Sequence, residues 1–241
     1  MLNWRPFLLV YVVADSQWRL PLVLCQEWLS IMLEAKSLTC VREEHTLFSE
    51  LSLSLAPGDL VQVAGPNGVG KTSLLRLLAG LSRPFAGEIY WQGHHIEQNR
   101  DEYHHDLLYL GHQAGIKHEL TALENLAFFK RMHHAQSSAN LWDVLAQVGL
   151  AGLEDQTAGQ LSAGQKRRVA LARLWLGGPK LWILDEPFTA IDKQGVKVLE
   201  QLLLDHTDNG GMVLITTHQD LSLSAKRARI LQLTPHEEDP A

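Results

Sequence analysis

The residues best suited to chemistry form a glycine-rich loop that fits G-x-x-x-x-G-K-[ST], namely Gly65-Pro66-Asn67-Gly68-Val69-Gly70-Lys71-Thr72, followed by Ser73. Glycines let successive backbone N–H groups turn towards phosphate oxygens, and a helix that starts there adds the positive end of its dipole. We expect Lys71 to reach the β- and γ-phosphates and the Thr72 hydroxyl to bind the magnesium ion between them. The loop therefore predicts a nucleoside-triphosphate site.

The segments on either side of the loop have the order that such a site requires. Residues 60–64 form a short apolar run typical of a buried strand. After the loop, leucines recur at helical spacing from Leu74 to Leu78, and Gly80 is placed to end that helix. The alternative, a glycine-rich turn that only joins a strand to a helix, does not account for the lysine and threonine.

Two adjacent carboxylates, Asp185 and Glu186, close the apolar run 181–184. A phosphate loop needs a second magnesium partner, and Asp185 is placed to hold the ion directly or through water. Glu186 would then face the attacking water as a general base. The alternative is ordinary surface polarity at a strand end.

The rest of the chain alternates between strand and helix patterns. Residues 33–56 alternate apolar and polar side chains, which predicts antiparallel strands, and 88–91 are expected to form another edge strand with a turn at Gln92-Gly93. Residues from about 121 to 152 carry helical periodicity and predict a helical subdomain. The apolar runs 181–184 and 212–217 predict central parallel strands joined by a crossover helix around 196–203. Residues 107–110 are expected to form a short apolar strand and 230–233 a final edge strand.

Composition narrows the class of protein. The 241 residues are 46% hydrophobic and 20% charged, which fits a globular protein of one domain or one domain with a subdomain. The net charge of −6 argues against a nucleic-acid partner. Cys25 and Cys40 lack metal-ligand spacing and suggest a reducing compartment.

Residues 1–31 differ in composition from the rest of the chain and are predicted to lie outside the functional domain. Their apolar run 7–14 is similar to the apolar part of a secretion signal, but Asp15 follows it directly, and export would separate the phosphate loop from ATP. Two interpretations remain open: an over-extended start, with Met32 as the initiator, or an extra packed or membrane-surface segment. Residues 236–241 are predicted to be a solvated tail.

The segment Leu161-Ser162-Ala163-Gly164-Gln165 and the helical pattern after it resemble the signature motif of ATP-binding-cassette ATPases. The motif lies in the expected order between the phosphate loop and the acidic pair, and Ala163 replaces the usual glycine. The resemblance implies that Ser162, Gly164 and Gln165 approach the γ-phosphate of an ATP held by the opposite subunit, where a helix N-terminus attracts anions. An ordinary capped amphipathic helix is the alternative.

The same resemblance implies roles for four further residues. Gln113 matches the glutamine that senses magnesium and water, Asp192 the acidic residue of the loop that crosses the dimer interface, and His218 the switch histidine at the γ-phosphate. Arg42 stands where an adenine-stacking aromatic ring is usual. A guanidinium plane can also stack on a base, and a plain exposed arginine is the alternative.

From Met32 to about Leu233 the chain resembles the ATP-binding subunits of the cytochrome c maturation haem exporter. The residues that suggest this family are Gly80–Pro84, Trp91–Gly93, Gly111–Lys117, Leu120–Leu126, Arg168–Leu176 and Leu181–Asp192. The resemblance implies an α/β P-loop NTPase fold of the cassette type over residues 32–235, with an antiparallel β-subdomain and a helical subdomain at about 115–165. It also implies ATP and Mg²⁺ as cofactors and a homodimer on the cytoplasmic face of a bacterial inner membrane, bound peripherally to integral permease-type transporter subunits.

The expected activity is ATP hydrolysis that releases a haem-loaded chaperone. No direct haem binding is expected, because adjacent histidines such as His94-His95 point to opposite faces of a strand and make poor joint ligands. The alternative function is a soluble cassette ATPase that acts as an assembly factor, like those of iron–sulfur cluster machinery. A regulatory ATP-binding module without catalysis is disfavoured by Glu186 and His218.

Overall fold

The structure, a computed structural model, describes residues 31–132, 138–189, 191–218 and 227–235, which belong to a compact unit that begins at Ile31. The strands are β1 (Leu33–Arg42), β2 (His45–Leu55), β3 (Leu60–Ala64), β4 (Ala86–Trp91), β5 (His94–His95), β6 (Leu107–Leu110), β7 (Leu181–Asp185), β8 (Met212–Thr216) and β9 (Arg229–Gln232). The helices are α1 (Lys71–Leu78), α2 (Arg100–Asp106), α3 (Ala122–Met132), α4 (Leu141–Gln147), α5 (Ala163–Leu171) and α6 (Lys193–Asp208). The predictions for residues 1–30 and for the tail at 236–241 lie outside the described residues.

The first sheet is antiparallel, with strand order β2-β1-β4-β5. Its core-facing residues alternate along β1, where Leu33, Ala35, Leu38 and Cys40 are buried, as the sequence pattern predicted. Residues 88–91 form a strand followed by a turn at Gln92-Gly93, as predicted, but the prediction that this strand lies at the edge was wrong, because β5 pairs with it. Gln92 and Gly93 both have positive φ, so they form a two-residue turn that folds β5 back against β4.

The second sheet is parallel, with strand order β6-β7-β8-β3-β9. All five residues of β7 and of β8 are buried, which explains why these strands read as continuous apolar runs. Because the strands are parallel, β3, β7 and β8 end at the same edge. The sequence puts the glycine-rich loop, the acidic pair and the segment 217–218 directly after these three ends.

The helical segments 122–132, 141–147 and 163–171, with short 3₁₀ turns at 158–160 and 172–176, pack around a cluster of their own. Leu126, Val144, Leu145 and Val169 are at most 3% exposed within it. Helix α2 was not predicted, since Tyr103 is its single buried hydrophobic residue and the other side chains give no apolar stripe. Within the described ranges, no helix is both long and apolar enough to cross a membrane.

Candidate functional site

A cavity of about 480 Å³ opens at the carboxyl edge of the parallel sheet. It brings together residues from four places that are far apart in the sequence: the β1–β2 hairpin, the glycine-rich loop with the start of α1, the end of β7 and the segment after β8. The predicted residues that line it are Arg42, Asn67, Gly68, Gly70, Lys71, Thr72, Ser73, Asp185, Glu186 and His218. Glu43, His45 and Leu47 also line it.

The glycine-rich loop adopts a backbone that side-chain-bearing residues rarely reach. Gly68 and Gly70 have φ of 83° and 101°, and Gly70 caps the N-terminus of α1. A Cβ at Gly65 would lie 2.6 Å from the Leu233 carbonyl oxygen, so the loop also packs closely on the strand beside it. The Lys71 ammonium donates hydrogen bonds to the carbonyl oxygens of Gly65 (2.7 Å) and Pro66 (3.0 Å), which places a positive charge within the loop.

Thr72 and Asp185 meet at the floor of the cavity. The Thr72 hydroxyl donates to Asp185 Oδ2 at 2.9 Å, and the Thr216 hydroxyl donates to Asp185 Oδ1 at 2.7 Å. Asp185 is only 3% exposed, and both oxygens of this buried carboxylate accept a hydrogen bond. A hydroxyl and a carboxylate this close are the oxygen ligands that Mg²⁺ accepts beside substrate phosphates.

Magnesium fits this pair better than a metal held by the protein alone. Among the described residues, no group of three or more His, Cys, Asp or Glu side chains is arranged to hold an ion. A site with one carboxylate and one hydroxyl leaves the remaining positions to phosphate and water, which is the usual coordination of Mg²⁺ in nucleotide enzymes.

Glu186 is held in a strained position at the end of β7. Its φ is +49°, a left-handed conformation that non-glycine residues rarely adopt, and its backbone N–H donates to the Thr216 hydroxyl at 3.0 Å. The carboxylate oxygen Oε1 lies 3.5 Å from His218 Nε2. The fold thus brings a carboxylate and an imidazole together beside the phosphate loop, which suits activation of a water molecule.

Arg42 and His45 are paired across the β1–β2 hairpin and both line the cavity. The Arg42 side chain is 72% exposed, and its Nε lies 3.8 Å from Glu43 Oε1. His45 was missed from the sequence. The signal that could have found it is the two-residue turn Glu43-Glu44, which puts His45 directly opposite Arg42.

The other predicted residues lie outside the lining of this cavity: Gly65, Pro66 and Val69 of the glycine-rich loop, and Gln113, Ser162, Gly164, Gln165 and Asp192. Ser162 is the N-cap of α5, its hydroxyl accepting from Gln165 N at 3.2 Å while its own N–H donates to Gln165 Oε1 at 2.7 Å. Asp192 caps α6 by accepting from Gly195 N at 2.7 Å. Ser162, Asp192 and Gln113 are exposed, so their side chains are accessible to a second molecule.

Arg167 was also missed from the sequence. This arginine of α5 is only 8% exposed, and its guanidinium donates to the backbone carbonyls of Asp185 (2.6 Å), Glu186 (3.1 Å) and Gly111. Burial lowers its pKa, and the nearby charges of Asp185 and Glu186 oppose that shift. The signal in the sequence is helical spacing, since Arg167 shares a face with the buried Ala170 and Leu171.

Known proteins share both the sequence and the fold. A family model described as ABC transporter matches residues 48–189. A solved structure described as the ATP-binding subunit of an ABC transporter has a TM-score of 0.74 at 24% identity, covering 84% of this chain and 88% of the other. An ATP-binding cassette described as dimeric and bound to ADP and Pi has a TM-score of 0.72 at 25% identity, covering 84% and 94%. The fold and the site define an ATP-binding-cassette ATPase.

Other known relatives are more similar in sequence than these structures. The cytochrome c biogenesis ATP-binding export protein CcmA of Aliivibrio fischeri (strain ATCC 700601 / ES114) is 58% identical over 202 residues, which cover 84% of this chain and 99% of the relative. The protein of the same name from Escherichia coli (strain K12) is 58% identical over 203 residues, covering 84% and 97%. The chain belongs to this family of cytochrome c biogenesis ATP-binding export proteins.

Proposed function

We propose that the protein is the ATP-hydrolysing subunit of a haem exporter complex in a bacterial inner membrane, bound peripherally at its cytoplasmic face. Hydrolysis would drive release of a haem-loaded chaperone for cytochrome c maturation. The relatives are named cytochrome c biogenesis ATP-binding export proteins, which supports a role in cytochrome c maturation. The observation that carries the proposal is the meeting of Thr72, Asp185, Glu186 and His218 in one cavity at the phosphate loop.

The protein's residues divide the work of phosphoryl transfer. Lys71 and the loop N–H groups would bind the β- and γ-phosphates. Thr72 and Asp185 would hold Mg²⁺, which would neutralise charge on the phosphate oxygens. Glu186 orients water for in-line attack and accepts its proton, and His218 Nε2, 3.5 Å from that carboxylate, steadies the water and the γ-phosphate. Gln113, at the exposed segment after β6, is proposed to complete the metal and water shell.

Two copies of the chain are proposed to enclose two ATP molecules head to tail. The exposed N-terminus of α5, with Ser162, Gly164 and Gln165, would cover the γ-phosphate bound by the other copy, and Asp192 would cross the interface beside it. The dimeric cassettes with the same fold support this arrangement. At the other end of the cavity, Arg42 and His45 provide planar side chains on which adenine can stack.

The catalytic part of the proposal is tested with two variants. Glu186→Gln removes the base but keeps the loop, so we expect it to bind ATP, to form a stable ATP-bound dimer and to lose at least ~100-fold in kcat. Lys71→Ala should lose ATP binding and turnover together. Rapid hydrolysis by the Glu186→Gln protein, measured by phosphate release, contradicts the proposal.

A cleft with exposed apolar side chains supports a membrane-embedded partner. It measures about 460 Å³ and lies between the end of α1 and the end of α3. Its lining combines the apolar Ala79, Leu81, Leu107, Tyr109 and Met132 with the polar Asp101, His104 and His105. Leu81 is 47% exposed and Met132 is 61% exposed, while Phe128, one helical turn before Met132, is 43% exposed. Large apolar side chains clustered on a surface are typical of an interface, and a loop of the transporter subunit is the proposed occupant.

Recruitment to the membrane tests this part separately. Leu81→Asp should abolish co-sedimentation with membranes that contain the co-expressed transporter subunits, while ATPase activity of the purified protein stays within twofold. Val198→Asp, at an exposed apolar residue of α6 outside the cleft, is the matched control. A wild-type protein that stays in the soluble fraction with those subunits present supports the assembly-factor alternative.

A further inference from the structure

Arg167 connects helix α5 to the ends of two neighbouring strands that the nucleotide site uses, β6 and β7. It lies on α5, and Ser162, the N-cap of that helix, lies five residues before Arg167. Its guanidinium hydrogen bonds reach the carbonyl of Gly111, 56 residues away, and those of Asp185 and Glu186, 18 and 19 residues away. Gly111 follows the end of β6 and lies two residues before Gln113, while Asp185 and Glu186 lie at the end of β7.

The chemistry of these contacts suits a guanidinium better than any other side chain. All three partners are backbone carbonyl oxygens, so the bonds fix the path of the chain and do not engage the carboxylates of Asp185 and Glu186. The planar fork has five donors in a rigid arrangement and can bridge two strand ends at once, whereas an ammonium is a compact point charge. With 8% exposure, the contact is shielded from water, which strengthens each bond.

We propose that Arg167 is a positioning residue that transmits the state of one ATP site to the other. In the dimer, Ser162 at the start of α5 contacts the ATP of the partner copy. Arg167 on the same helix holds the backbone of Glu186 and of the Gln113 loop in its own copy. When the two copies close, contact with the partner's ATP shifts α5. Through Arg167 this shift aligns Glu186 in the same copy, so each site becomes competent for hydrolysis when the other site holds ATP. This rests on the proposed dimer.

The test separates catalysis from binding. Arg167→Gln keeps a polar side chain but cannot span both strand ends, so we expect kcat to fall about 10- to 100-fold, the size that a misplacement of about 1 Å causes. The Kd for ATP should stay within about twofold, because Lys71 and Thr72 are untouched. The Hill coefficient for ATP should fall towards 1. Arg167→Lys, which keeps the charge and part of the bonding, should recover part of kcat.

The matched control is Lys166→Gln, which removes the same charge from the neighbouring residue of α5. Lys166 Nζ donates at 3.4 Å to the Gly159 carbonyl, within the helical block, and makes no bond to β6 or β7 among the described contacts. We expect it to keep both kcat and the Hill coefficient of the wild type. Thermal unfolding shows whether each variant folds. If Arg167→Gln does not fold, Arg167→Lys decides the inference: its kcat should be below that of the wild type while its Kd for ATP stays unchanged.

Two results overturn the inference. One is a folded Arg167 variant with the kcat and cooperativity of the wild type. The other is a parallel loss of ATP affinity and kcat, which indicates a general structural role. A third measurement separates the role of Arg167 from dimer formation. The double variant Glu186→Gln, Arg167→Gln should still form the ATP-bound dimer. If Glu186→Gln alone forms none, the proposed dimer fails, irrespective of Arg167.

Discussion

Thr216 illustrates at the residue scale how one hydroxyl organises both carboxylates of the site. It is fully buried at the end of β8, donates to Asp185 Oδ1 at 2.7 Å and accepts from the Glu186 N–H at 3.0 Å. Sequence reasoning assigned it no role because threonine is also a common strand residue. Its partners lie 30 and 31 residues away, and only the sheet register brings them together.

Thr216→Val is expected to lower both stability and turnover. It keeps the shape of the side chain but leaves a buried oxygen of Asp185 without its partner, which costs about 1–3 kcal/mol. The Glu186 N–H loses the hydroxyl and keeps only its bond to the Thr216 carbonyl at 3.2 Å. We expect a lower urea midpoint and a fall of about tenfold or more in kcat, because Asp185 and Glu186 are held less firmly. Thr216→Ser is the control and should behave like the wild type. Equal kcat and stability in the valine variant contradict this role.

His206 gives the protein a predictable response to pH. Its ring stacks on Trp182 with centroids 3.7 Å apart, and Nε2 lies 3.2 Å from the Lys180 carbonyl oxygen. Burial lowers the pKa of His206 to about 4, which is below its ordinary value of 6.5. The unfolded chain therefore binds a proton more readily than the folded one, so stability is complete above about pH 6.5 and declines as pH falls towards 4.

Urea unfolding between pH 7.5 and 4.5 measures this decline. For one titrating group, the free energy of unfolding changes by at most ~1.4 kcal/mol per pH unit, and the partial exposure of the His206 ring reduces this slope. His206→Phe keeps an aromatic ring on Trp182 and carries no proton, so its stability should lose that part of the pH dependence. It should differ from the wild type by a constant offset at high pH, from the lost hydrogen bond to Lys180. Parallel curves over the whole range would count against the assignment.

At the scale of elements, the hairpin between β1 and β2 is built with unfavourable turn residues. Glu43 and Glu44 have φ of 50° and 70°, and a two-residue turn with both φ values positive normally contains Asn-Gly. Side-chain-bearing residues cost roughly 1–2 kcal/mol each in this region. The double variant Glu43→Asn, Glu44→Gly should therefore raise the free energy of unfolding by about 1 kcal/mol, after the entropic cost of glycine.

The same double variant tests how the hairpin serves nucleotide binding. If Arg42 and His45 stack on adenine, the variant should bind ATP at least as tightly as the wild type. The pair across the turn is preserved, and the negative charge of Glu43, which lines the cavity beside Arg42, is removed. Arg42→Ala and His45→Ala should each weaken ATP binding, measured by titration calorimetry. Unchanged affinity in both alanine variants removes the stacking role from this hairpin.

Elements with a strong local pattern were predicted from the sequence, and those fixed by distant contacts were not. The glycine-rich loop, the fully buried strands β7 and β8 and the edge strand β9 follow from local residue types. The turn at Gln92-Gly93 was also predicted, but the interior position of β4 was not, because the strand β5 that pairs with it has only two residues and shows no pattern. Helix α2 has no apolar stripe and is held by one buried tyrosine, Tyr103, whose hydroxyl donates to the Leu78 carbonyl.

The site itself divides in the same way. Lys71, Thr72, Asp185, Glu186 and His218 follow strands that end at one edge of the sheet, so their order in the chain predicts their meeting. Arg167, His45 and Thr216 enter the site through hydrogen bonds or register between segments far apart, and their residue types give no specific signal. The roles proposed for Ser162 and Asp192 concern a second copy of the chain.

At the scale of the whole molecule, the proposed site residues form two separate groups on one chain. The cavity at the phosphate loop contains the groups proposed to bind phosphate and to activate water, while the exposed cap of α5 lies outside its lining. In the proposed mechanism, the two groups that serve one reaction come from two chains. The proposed mechanism therefore requires that hydrolysis depends on dimer formation, and that Ser162 acts on the ATP of its partner.

The specific ATPase rate measured over a range of protein concentrations tests this requirement most directly. We predict that the rate per chain falls on dilution in step with dissociation of the dimer, followed by sedimentation in the same buffer. We also predict that Ser162→Asp, which retains the helix cap but opposes the γ-phosphate with a negative charge, keeps its thermal stability and is inactive at every concentration. A constant rate per chain at concentrations where only monomers exist, with Ser162→Asp still active, would contradict the dimeric mechanism.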